Sequence, residues 1–446
     1  MAIPADARPT KAFFISNLTR DLSLEDAILD LIDNSVDAWV RLNNLDVSAE
    51  LLRRAAHGTA WKDEETPAIR VELSNDRFSI WDRCGGIPLD LAVTQVFRFG
   101  RTADAPTSTL SVYGIGLKRA VFKIGSHIEI CSRTPQTGFR VVIDVEKWAE
   151  NDDNWEFPVE EIDPARTPEE AGTEIVVTRL RDEVIQRLSE GTLLTRLSSL
   201  VGTTYSLFLQ HSLAITINGN RVPPNPIPIG ESEDVLPARR TLFIDGIEVE
   251  IFAGLAARKD GEWNIDRAGW YILCNGRVVV SADKTDLTGW GTAGPQFVSK
   301  YRGFVGVAFF FSTDPASLPW TTTKRGLNRE SPAYQLVRRE LALVARPVLS
   351  FLNQMYPSDP AESPAEREVA DKVRQAELSK IAAQPQRTFA VSLPPRRRRG
   401  DTVSVQFKAK RTEVDKIRTK IGRPDWGAGA IGRYTFDYFL RVEVGE

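Results

Sequence analysis

DLIDNSVDA, Asp30 to Ala38, decides how this 446-residue chain is read. Asp30, Asn34 and Asp37 recur at i, i+4 and i+7 and share one helix face, while Leu31, Ile32 and Val36 turn to a core. The helical pattern runs outward over 23–43, with Ser23 placed to cap it and Asp26 standing three residues on as a short capping-box carboxylate. On that face a carboxylate precedes a carboxamide by one turn. Asn34 offers a neutral oxygen that suits Mg²⁺, and Asp30 offers a base to a water molecule. Taken alone, the stripe suits a solvated helix face equally well.

Two further motifs change that balance. WDRCGGIP, 81–88, follows a strand pattern at 78–81 that pairs with 69–73 across the turn SNDR. Asp82 at the strand end can accept a hydrogen bond from an exocyclic amine such as adenine carries, and the glycines up to Gly86-Ile87 let backbone come close. An ordinary Asp-Gly turn is the plainer reading of this segment by itself. YGIGLKRAVFKIG, 113–125, then opens a helix with Gly114-Ile115-Gly116-Leu117, where free N–H groups and the positive dipole end receive phosphates and Lys118 adds a cation. The small and polar residues before it, Gly100 to Thr109, suit a mobile flap.

In this order the motifs resemble the GHKL ATPases, named for gyrase, the heat-shock-90 chaperones, histidine kinases and MutL, over roughly 15–200. Gly172-Thr173 ahead of EIVVTRL matches the fourth family signature. The resemblance implies ATP and Mg²⁺ as ligands, Asn34 as the metal holder, Asp82 and Thr173 as readers of adenine, and Gly114 to Lys118 as the phosphate cradle under a lid. Asp30 stands where the family has a glutamate base, which implies slow hydrolysis, and Cys84 and Arg83 depart from the common pattern of the second motif. In WTTTKRGLN, 320–328, Lys324 is the candidate for the second-domain lysine that reaches the terminal phosphate in gyrase-, MutL- and MORC-like members, with Arg325 as alternate. An exposed basic loop is the competing reading.

The expected fold class is α+β: a two-layer α/β sandwich of Bergerat type, then a second α/β domain of transducer type and a small strand-helix-helix module. The expected bounds are an N-terminal arm at 1–20, the ATP-binding domain at 21–205, the transducer-like domain at 206–356 and a linker at 357–400 with a helix at 366–382. The C-terminal module at 401–446, with its strand over 403–409, resembles a ribbon-helix-helix fold.

With 57 basic and 60 acidic residues the chain has no global field for nucleic acid or membrane, so such contacts must be local. Arg396, Arg397, Arg398 and Arg399 form one basic run that suits DNA phosphates, though a solvated linker reads the same way. Three scattered cysteines and no long apolar run point to a cytoplasmic, non-membrane protein. With only three histidines, none in an upstream dimerisation helix, a histidine kinase is disfavoured. The resemblance implies a homodimer closed by ATP, acting on DNA or a partner complex as some relatives do in phage defence. The alternative is a non-hydrolysing nucleotide sensor, scaffold or chaperone-like module.

Overall fold

The computed structural model describes residues 10–53, 67–100, 109–110, 114–258, 261–356, 364–393, 405 and 408–445. The chain divides into two compact units, Met1–Leu393 and Pro394–Glu446.

Helix α1, Lys11–Thr19, leads to α2, Leu24–Leu42. Ser23 caps α2 by accepting from the Asp26 amide at 3.1 Å. The expected capping box does not close, because the Asp26 carboxylate pairs with Arg325 instead. Strands β1, Ile69–Leu73, and β2, Arg77–Asp82, form the expected hairpin with Leu73 opposite Phe78. Helix α3, Gly116–Ile124, packs beside α2 and runs into β3, Gly125–Arg133. There follow β4, Gly138–Asp144, β5, Val159–Ile162, β6, Gly172–Leu180, helix α4, Leu193–Thr204, and the short β7, Ile215–Ile217, and β8, Asn220–Arg221.

Together these strands form one eight-stranded sheet in the order β5-β4-β3-β6-β2-β1-β7-β8. Alternation along each strand sorts the faces: Ile80, Val177, Ile128, Ile130 and Val141 are buried, while Glu174, Glu129 and Arg140 lie on the wetter side. The stretch 213–217, expected to open the second domain, instead extends this first sheet. It pairs parallel to β1, Ile69 opposite Ile215, after the helical crossover through α4. The boundary expected at 205/206 therefore falls inside a continuous structure.

The second sheet orders β9, Ala238–Ile244, β10, Ile247–Leu255, β13, Phe304–Phe311, β11, Gly269–Cys274, and β12, Arg277–Asp283. Its central strand, FVGVAFFF, is buried along its whole length, as a strand covered on both faces requires. Helix α5, Pro332–Met355, covers it.

The expected linker is also revised. Residues 364–393 pack on the first unit through buried Val369, Ala370, Val373, Ile381 and Phe389. Arg374–Gln375 pairs with Gly230–Glu231 and Ala390–Val391 with Val235–Leu236, so the helix expected over 366–382 is split into Pro364–Asp371 and Leu378–Ala383. In the second unit, helices Arg411–Lys420 and Ala428–Phe439 form, and Ile431 is its buried apolar residue among those described. Lys408 to Lys410 are not in a strand, and the rest of the strand expected over 403–409, like Arg396 to Arg399, lies outside the described residues apart from Val405. No described helix is long and apolar enough to cross a membrane.

Candidate functional site

The inner faces of β2, β6 and β3 are apolar at Ile80, Ile175 and Ile130 and turn polar together at the next inward position. Asp82 lies opposite Thr173, and Thr173 opposite Ser132, so three strands present one row of oxygen-bearing side chains at one end of the sheet. All three residues are buried. Two glycines make the row possible. A Cβ at Gly172 would lie 1.8 Å from the Asp82 carbonyl oxygen, and one at Gly86 would lie 2.0 Å from that of Arg133, where φ is also +73°.

Asp82 accepts from the Ser35 hydroxyl at 2.9 Å and from the Cys84 amide at 3.0 Å. Burial still dominates and pushes its carboxyl up to about 6. Ser132 accepts from the Ile87 amide at 2.8 Å and meets the Thr173 hydroxyl at 2.8 Å. Burial likewise pushes the Cys84 thiol up, so it is not a reactive thiolate.

Helix α2 runs beneath this row and carries Asn34, half-buried and without a hydrogen bond among the described residues. Helix α3 begins beside it with no side-chain cap at Ile115, which leaves first-turn amides available to an anion. Gly116 lies against Asp30: a Cβ built on it falls 3.7 Å from the Asp30 carboxyl carbon. A carboxamide without a partner among the described residues lies on α2 between Asp30, which borders the uncapped α3 start, and Ser35, which donates to the strand-end carboxylate of Asp82, a donor set that fits a magnesium nucleotide.

Other expected site residues are engaged differently. Asp37 accepts from the amides of Thr109 and Leu110 at 2.9 and 2.8 Å, so it anchors the far end of the flap. The flap residues 101–108 and 111–113 lie outside the described residues. Lys118, expected as a phosphate cation, donates to the carbonyls of Val96, Arg98 and Gly114. An ammonium has three donors, and all three are used on the flap's root. Burial lowers the Lys118 ammonium to about 8. Leu117 is half-buried against the core.

Asp30 is clasped by Arg119, whose Nε and Nη2 donate to its two oxygens at 2.6 and 3.1 Å. Burial raises the Asp30 carboxyl, with Arg119 and Lys324 working against it. Lys324, expected at the terminal phosphate, donates to Asp33 at 2.7 Å and is buried, with its backbone in the left-handed region at φ +56°. The other Asp33 oxygen accepts from Arg277 Nε at 2.8 Å and Tyr205 at 2.7 Å. Burial pushes Asp33 up, yet Arg277 and Lys324 outweigh it and hold the carboxyl below its usual range. This buried cluster ties α2 to β12 and to the 320–328 loop. Arg119 reaches the same loop at the Thr322 carbonyl, 3.4 Å away.

Sequence reading missed Ser35, Ser132, Arg119, Asp33, Arg277 and Tyr205. Arg119 directly follows Lys118, and Asp33 lies inside the quoted DLIDN, so both were adjacent to a signal. Ser132 had none, because only strand register brings it to Thr173.

Residues 22–173 match the model of a family described as histidine kinase-, DNA gyrase B-, and HSP90-like ATPase. No curated protein matches the chain. The stretch with the polar row, the uncapped helix and Asn34 is thus the stretch that resembles these ATPases, which supports a GHKL-type ATPase domain there.

Proposed function

We propose that the chain binds Mg²⁺-ATP in the site between α2, the start of α3 and the polar row, and hydrolyses the nucleotide slowly. The convergence of Asp82, Asn34 and the uncapped α3 supports this most strongly. In this reading Asp82 accepts from the adenine amine, Thr173 supports it, the α3 amides bind phosphate oxygens, and Asn34 holds the metal. The metal supplies neutralisation of phosphate charge. Asp30 serves as base, and Lys324 exchanges Asp33 for the terminal phosphate. Arg119 with Asp30, and Arg277 with Asp33, leave Lys324 as the surplus cation of the cluster, which favours that exchange.

Closure of two copies around ATP, with action on DNA or a partner complex in the manner of MORC- or MutL-like proteins and of phage-defence ATPases, is the extension we favour. It predicts a larger particle by light scattering on adding a non-hydrolysable ATP analogue. It further predicts DNA affinity that falls steeply with salt and with alanine at Arg396 to Arg399. Constant mass and unchanged DNA affinity would remove this extension without touching ATP binding.

Asp82→Asn tests the base-reading role. ATP affinity is expected to fall about 10- to 100-fold, the loss of one hydrogen bond to a charged group. Stability should move the other way. Asp82 holds its proton up to about 6, against an ordinary 3.8, so its contribution is present below 3.8 and is lost as pH rises through 6. At pH 7.5 the buried charge costs up to about 3 kcal/mol. The neutral amide escapes that cost, so the thermal midpoint should hold or rise at pH 7.5 and converge on wild type below pH ~4. Unchanged ATP affinity would remove Asp82 from the site.

A further inference from the structure

The polar row has a proton count that fixes more than its shape. Ser132 Oγ has three partners: it accepts from the Ile87 amide at 2.8 Å, it lies 3.2 Å from the Gly172 carbonyl, and it meets Thr173 Oγ1 at 2.8 Å. A carbonyl can only accept and an amide N–H can only donate. Either hydroxyl of the Ser132–Thr173 pair could donate, but all three contacts are hydrogen bonds only when the single Ser132 proton goes to Gly172 and the Thr173 proton goes to Ser132. Thr173 is left with lone pairs alone to offer to a ligand. Its neighbour in the row, Asp82, already accepts from Ser35 and Cys84 and offers more lone pairs when ionised. Ser132 is wholly buried, so no water competes for these bonds.

We propose that Ser132 is a specificity-determining residue of the nucleotide site: by accepting the Thr173 proton it leaves the row with acceptors only, so that a purine with an exocyclic amine at C6 is taken and one with a carbonyl at C6 is refused. Ser132 acts through Thr173 and need not touch the base. The inference rests on the ATP reading above and adds the origin of its base preference. A site built to pair a donor rejects the analogue that presents an acceptor, because the buried lone pairs then face each other unpaired.

The test is calorimetric binding of ATP and GTP, each with Mg²⁺, to the full chain. In Ser132→Ala the Thr173 hydroxyl is free to turn and donate, so the ATP:GTP affinity ratio is expected to fall about tenfold, through a gain for GTP as well as a loss for ATP. Ser132→Cys fills the same space with a weakly bonding thiol and should shift the ratio in the same direction if the alanine variant does not fold. Ser132→Thr keeps the hydroxyl and should keep the ratio. On a Thr173→Val background, Ser132→Ala should leave the ratio where Thr173→Val alone puts it, whereas a general loosening of the sheet would lower both affinities and spare the ratio in every variant. A wild-type preference for ATP that survives in both the alanine and cysteine variants overturns this inference and leaves the ATP reading standing. A wild type that binds neither nucleotide overturns both.

Discussion

Asp30→Asn is expected to cut ATP turnover by about 10²- to 10⁴-fold while nucleotide still binds, the range for losing a general base. Asp30 sits one turn before Asn34 and against Gly116 at the start of α3, next to the uncapped amides that suit phosphates. It is also one of the most constrained carboxylates in the fold. Arg119 grips both of its oxygens, and burial pushes its proton affinity up. Burial favours the neutral carboxyl, and the guanidinium works against it. An asparagine keeps the shape but has no basic oxygen. Single-turnover phosphate release measured beside calorimetric binding separates the outcomes. Turnover in wild type that persists in Asp30→Asn would remove Asp30 from its role. Binding without turnover in wild type would favour the sensor alternative over the motor.

Asp33→Ala and Arg277→Ala should each lower unfolding free energy by about 3–5 kcal/mol, because removing one partner strands the other's charge in the interior. Asp33 is 0% exposed and Arg277 1%. Arg277 also donates to the Lys324 carbonyl at 2.6 Å, so its loss frees the 320–328 loop as well as Asp33. Lys324→Met should cost less, since Asp33 then keeps Arg277 and Tyr205. The Asp33 contribution is present above the ordinary carboxylate range and fades as pH falls through its depressed folded value. Urea midpoints at pH 7 and in acid would check the order. An Arg277→Ala variant within about 1 kcal/mol of wild type would mean that the cluster is wet and does not join α2 to the second sheet.

The parts of this architecture readable from sequence were those governed by local period and spacing. Helix α2 and the β1–β2 hairpin follow from residues within one or two turns of each other. The Gly-rich start of α3 was visible because glycine has few other reasons to flank a helix start. Contacts made across the sheet left no such trace. The parallel pairing of Ile215 with Ile69 is set by a crossover through α4 that no short window contains, so composition alone assigns 213–217 to the second domain although it belongs to the first sheet. The segment 364–393 reads as linker by its Pro, Glu and Arg content, yet Val369, Val373 and Phe389 find apolar partners far away in sequence. Lys118 and Lys324 show the same limit at the site. Their charge was legible, but their acceptors, the flap-root carbonyls and Asp33, are supplied by the fold.

In the proposed site α2, the start of α3 and the polar row together hold one magnesium adenine nucleotide. Isothermal titration of the full chain with ATP in magnesium buffer tests it most directly. One saturable site per chain is expected, with an affinity that falls on chelating the magnesium and falls again in Asp82→Asn. Absence of saturable heat with ATP or ADP, with or without magnesium, would contradict it.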